Sequence, residues 1–245
     1  MKAIPTKNPR SLGTVRSAAG ILIALTVIGV ASGWMAITND VIAAQGEGDI
    51  VFRWAFGVLA ANEANPKLEA ITADRTLKTG DRLKMMVELE KECFVYVVYH
   101  GPQDQVKLLF PYKLSELASD YQVGKRYYIP QGAAWFELDQ QVGSEAFHVV
   151  ASKQRLTGLE AALSQYDASG QGDKPELANR VLAEIREVRR QSRDLATTAE
   201  RPINIGGNVR GLDPPLGDQG PDVASLAQEV VAKGSYCRTF TIEHR

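Results

Sequence analysis

LKTGDRLKMMVELEKECFVYVVYHGPQDQVKLLFP, residues Leu77 to Pro111, places apolar side chains at every second position and interrupts them at strand-length intervals. That period belongs to half-buried β-strands, and three consecutive antiparallel strands are predicted here. Leu83, Met85, Val87 and Leu89 are odd-numbered, whereas Phe94, Tyr96 and Val98 beyond Glu90-Lys91-Glu92 are even. A switch of parity across a short charged segment predicts a tight hairpin or bulge. Gly101 to Gln105 forms the next turn, and Pro111, which has no N–H for a ladder, ends the third strand.

Outward from this stretch, Ile50 to Ala60 predicts a strand with Phe52, Trp54 and Phe56 facing inward, and the polar Ala61 to Thr76 predicts an irregular connection. Tyr127 to Ile129, Ala134 to Leu138 and Glu145 to Ala151 add short strands separated by turn residues. Regularly spaced short strands without βαβ alternation predict an antiparallel, Ig-like β-sandwich over 45–155.

After Ser152 the apolar period lengthens to that of helices, and a helical hairpin is predicted over 156–198. Thr157 with Glu160 predicts a capping box, and Asp173 with Glu176 a second. Leu177, Val181, Ile185, Val188 and Leu195 form an apolar stripe on the longer helix. Residues 199–221 are a Gly/Pro-rich loop that has room for a short strand at Ile203 to Val209. Asp222 then caps a predicted helix, Val223 to Lys233, and Tyr236 to Ile242 alternate as a last strand that rejoins the sheet.

LKTGDRL (Leu77–Leu83), FVYVVYH (Phe94–His100), KLLFP (Lys107–Pro111), YYIP (Tyr127–Pro130) and EAFHVVAS (Glu145–Ser152), in that order, resemble a bacterial domain family of unknown function, DUF4384. The resemblance implies a small β domain, found alone on exported proteins or attached to caspase-like peptidases and kinases, with an accessory or recognition role. It transfers no catalytic residues, and the region Leu156 to Lys233 lies outside it.

The address comes from the first 44 residues. Lys2, Lys7, Arg10 and Arg16 precede Ser17 to Asn39, which carries no charge. A basic leader before a charge-free apolar run predicts export, with the body outside the cytoplasm. Two outcomes stay open: cleavage after Ala43-Ala44, or retention of residues 18–37 as an inner-membrane anchor. No Cys near the run suggests a lipoprotein. Beyond residue 44 the chain has 24 basic and 28 acidic residues, a net of -4. That balance argues against nucleic-acid partners.

His100, His148 and His244 lack the spacing of a zinc site, and no metal or cofactor is expected. G-x-S-x-G, P-loop and H-E-x-x-H strings are absent. An enzyme would need His100 or His148 to converge with Asp104 or Glu145 from separate strands, and the expectation is a non-enzymatic module. Cys93 and Cys237 are a candidate disulfide or two buried thiols. Arg186, Arg189, Arg190 and Arg193 form either a solvated basic strip or a docking face for an acidic envelope partner or anionic lipid. Tyr99, Tyr112 and Tyr128 are candidates for an aromatic groove binding a peptide or glycan, against the alternative that the aromatics simply fill the core. The stripe Leu177, Val181, Ile185 and Val188 offers either a core face or a homo-oligomer surface.

Overall fold

A computed structural model describes residues 49–61, 66–118, 121–194, 199–202 and 221–245. The predicted leader with its 18–37 anchor, Leu195, and the Ile203 to Val209 segment lie outside the described residues. The strands are β1 (Ile50–Leu59), β2 (Leu68–Ala70), β3 (Arg75–Leu77), β4 (Arg82–Leu89), β5 (Phe94–Gly101), β6 (Gln105–Phe110), β7 (Arg126–Ile129), β8 (Phe136–Glu137) and β9 (Gly143–Ser152). The helices α1 (Thr157–Ala168) and α2 (Lys174–Asp194) follow, then β10 (Ala199–Pro202), β11 (Gln228–Ala232) and β12 (Ser235–His244). No helix among the described residues is long and apolar enough to cross a membrane.

Two sheets face each other. One has the order β10-β11-β1-β4-β7, with β2 beside β1 and β8 beside β4; the other runs β3-β12-β9-β5-β6. All pairings between these strands are antiparallel except that of β3 with β12. Between the sheets lie Phe52, Trp54 and Phe56 of β1, Leu83, Met85 and Val87 of β4, Val95 and Val97 of β5, Val149 of β9 and Phe240 of β12. Phe240 meets Trp54 and Phe56 with ring centroids 5.6 and 5.7 Å apart, so aromatic contact joins the sheets directly.

The opening stretch therefore folds differently from its predicted meander. β4 and β5 belong to opposite sheets, and residues 90–93 carry the chain across the sandwich rather than around a hairpin. The parity never switches, because odd residues face the core in both strands. The bulky even residues Tyr96 and Val98 point to the far side of the second sheet, where Leu159, Leu163, Val181 and Ile185 of the helices cover them. A strand buried on both faces loses the alternation that would report its direction.

Four other expectations change. Residues 228–232 form a strand, not a helix: Asp222 does cap, its Oδ1 accepting from Ala224 N at 2.9 Å, but it starts a single 3₁₀ turn, Val223–Leu226. Val230 and Ala232 then enter the core beside β1. The Thr157–Glu160 capping box is absent, since Leu156 caps α1 without a side-chain bond. Glu160 instead accepts from Tyr96 Oη at 2.6 Å and from Arg155 Nε at 3.1 Å. Burial pushes the Glu160 carboxyl up, yet the bonds from Arg155 and Tyr96 hold it below its ordinary value. The connection before β4 contains β2 and β3, and β10 falls where only loop was expected.

Several residues carrying the family resemblance act on the backbone. Asp81 is buried and accepts from Ala61 N and Lys78 N, each at 2.9 Å, and Gly80 takes φ +88° where a side chain would be strained. Val181, Ile185 and Val188 are buried under α1 and the second sheet, so the apolar stripe is core and those side chains are unavailable to a second copy.

Candidate functional site

The β5–β6 hairpin closes over Pro102 to Asp104, with Gln103 at φ 61° and Asp104 at φ 57°. Two consecutive non-glycine residues in the left-handed region need outside support. Tyr166 of α1 supplies it, its hydroxyl accepting from Val106 N at 3.0 Å and donating to Asp104 O at 3.1 Å. The hairpin tip is thus braced by the helical layer.

Beside this tip a cleft of about 270 Å³ opens at one end of the sandwich. Leu83, Leu109, Phe136 and Phe147 give it an apolar floor, while Gln105, Lys107, Glu137, Asp139, Gln141 and Glu145 supply polar lining. Tyr99 completes the wall and is shared, with Gln105 and Lys107, with a second cleft of about 510 Å³ that continues toward Tyr166 and Lys174. Val142, next to Gln141, is 59% exposed, which is unusual for a large apolar side chain in this protein.

Glu145 is the buried ionisable group of the cleft. His244 Nδ1 lies 3.3 Å from its Oε1, and His244 Nε2 shares a hydrogen bond of 3.1 Å with Thr79 Oγ1. Burial raises the affinity of Glu145 for a proton, opposed by the Tyr99 hydroxyl and His244 and reinforced by Asp139. Burial and the charge of Glu145 in turn push the Tyr99 phenol up. Hydroxyl, imidazole and carboxylate in this order have the connectivity of a nucleophile, base and orienting acid. The arrangement instead clasps the last strand: the His244 side chain is fully buried, Thr79 N donates to Arg245 O, Arg245 N donates to Leu77 O, and Thr79 does not line the cleft.

Gly101 leaves room for the Tyr99 ring, since a Cβ there would lie 2.3 Å from Tyr99 Oη. Gly101→Ala is therefore expected to displace the phenol from Glu145 at a cost of about 1–3 kcal/mol. Urea unfolding and a tyrosine-selective spectrum would check it; an unmoved Tyr99 signal would contradict this packing.

The other predicted residues disperse. Tyr112 donates to Tyr128 O at 2.6 Å, and Tyr128 donates to Asp222 Oδ1 at 3.1 Å; neither lines the cleft with Tyr99, so the three form no common groove. Arg189 turns inward and bonds Thr239 Oγ1, and Arg190 bonds Glu187 at 2.7 Å. Arg186 bonds Leu182 O of its own helix at 3.1 Å, and Arg193 is exposed, so the four arginines do not act as one free strip. His100 Nε2 stands 3.7 Å from Asp104 Oδ1, whereas His148 Nδ1 bonds Thr239 Oγ1 at 2.9 Å. Glu145 is joined by His244 rather than by either of these. Among the described residues no group of three or more His, Cys, Asp or Glu could hold a metal ion.

Cys93 and Cys237 are both free. Cys93 faces the sandwich core and Cys237 the helical layer, on opposite sides of the second sheet, so they do not pair. Burial pushes the Cys93 thiol up to about 12. Both thiols are expected to resist a maleimide in the native protein and to react fully once it is unfolded under non-reducing conditions; a count below two there would reveal a disulfide.

These features define a class: a β-sandwich with a helical layer on one sheet and a cleft at one end. Residues 76–155 match the family model of the domain of unknown function DUF4384, a third of the chain. The matched segment contains every residue lining the cleft but neither His244 nor β1 and β12, which complete the two sheets. No curated protein matches the chain.

Proposed function

We propose that this protein is an exported, non-enzymatic accessory module of the cell envelope that recognises another protein through the cleft beside the β5–β6 hairpin. The observation that carries this reading is the cleft itself, an apolar floor with a polar rim and an exposed Val142 next to it. Concave apolar surface with a few polar groups is the usual composition of a binding site. Its most buried carboxylate, Glu145, is engaged with His244 and Tyr99, which suits a structural role better than proton transfer. The export part rests on the basic leader and the charge-free run Ser17 to Asn39.

A photo-crosslinking residue in place of Gln141, used in intact bacteria, tests recognition: a discrete crosslinked species in the envelope fraction is expected. Recovery of the uncrosslinked protein alone would contradict it. Alkaline phosphatase fused after residue 245 tests the address, and an inactive fusion would overturn export.

A further inference from the structure

We propose that the cleft takes a basic side chain, arginine or lysine, carried on an extended segment of the partner. This rests on the recognition reading above and names the chemistry recognised. Two exposed carboxylates, Glu137 and Asp139, line the cleft against one ammonium, Lys107, with Glu145 buried behind them against His244, and the floor is aliphatic and aromatic. An anionic rim above an apolar floor complements a side chain with a methylene stem and a cationic head. Tyr99 and Phe136, half-buried in the lining, are aromatic neighbours of the kind that attract such a head.

The cleft of about 270 Å³ shares Tyr99, Gln105 and Lys107 with the second of about 510 Å³, which gives an extended segment room to continue beyond an inserted side chain. The hairpin tip also disfavours added-strand binding, because Tyr166 already occupies Val106 N and Asp104 O. A partner at this point engages the protein through an inserted side chain rather than through a backbone ladder. The segment has space to continue into the second cleft, across Gln105 and Lys107.

Asp139 and Glu137 are exposed, and an asparagine at 139 can still accept the 2.7 Å bond from Gln141 N, so Glu137→Gln with Asp139→Asn should leave the fold intact. In an NMR titration of the full chain with N-acetyl-arginine methylamide, saturable shifts are expected at Tyr99, Asp139 and Gln141. They should weaken at least about tenfold in the double variant and with added salt. Equal response to N-acetyl-glutamine methylamide, or an unchanged response in the double variant, would overturn the inference. The photo-crosslinking experiment separates the two readings. Capture of the same partner by the double variant overturns the basic side chain while recognition stands; saturable arginine binding with no captured partner overturns recognition and supports the cationic site.

Discussion

Lowering the pH from 6.5 to about 4 is expected to remove about 3 kcal/mol of stability through His148 alone. The side chain is 8% exposed; burial, Arg189 and His100 together push its affinity for a proton down, to about 4 from an ordinary value of 6.5. The unfolded chain therefore takes up the proton first. The contribution is complete above pH 6.5, declines as the pH falls toward 4, and stops changing below that. The groups facing the ring give no relief: Thr239 occupies Nδ1 and is itself bonded by Arg189, Nε2 has no partner, and His100 is turned toward Asp104. Thermal melts between pH 7 and 4 should drop by roughly 6–12 °C more in the wild type than in His148→Gln. Carboxylates also titrate in this range, so the difference between the two proteins is the measurement. Parallel curves would rule out this role for His148.

Phe240→Ala should cost about 3–5 kcal/mol in urea unfolding. Phe240 is 1% exposed, and its ring touches Trp54 and Phe56 of the facing sheet. Truncation removes that contact and leaves a cavity where the sheets meet. Glu243→Ala on the same strand, exposed and bonded only to Ser144 at the surface, should stay within about 0.5 kcal/mol. A loss below 1 kcal/mol at Phe240 would mean that its ring does not pack between the two sheets.

The inward faces of the strands are legible in the sequence wherever the outward positions carry small or charged residues. Phe52, Trp54 and Phe56 alternate with smaller or charged neighbours, and the last strand alternates too, so each was assigned its inner face. Where both faces carry bulky apolar side chains the pattern fails. Tyr96 and Val98 are as large as core residues because they are core, of the helical layer, and their bulk imitated a change of direction. Residues 228–232 are ambiguous for another reason: the short apolar run Val230-Val231-Ala232 after a true cap does not distinguish strand from helix, and pairing with β1 decides it.

The site was less legible than the scaffold. Tyr99 and the turn after it stand out in the sequence, and so does Glu145, but His100 and His148 are nearer in sequence than its actual partner. His244 lies 99 residues away and reaches Glu145 only because β12 pairs with β9. Asp139 and Gln141 gave no signal, since short polar loops look alike until a strand edge places them.

The place of β12 inside the second sheet also sets an order of events. It sits between β9 and the three-residue β3, so β9, β5 and β6 can pair without it, but β3 has no neighbour and Trp54 and Phe56 lack Phe240 until residues 235–244 arrive. A chain that emerges N-terminus first, from a ribosome or through a secretion channel, cannot close its sandwich while that segment is still threaded. Closure comes as one late step that brings together residues far apart in sequence, a slow kind of folding. Until then the aromatic face of β1 waits for Phe240, and the same strand that holds the finished protein together is among the last to join it.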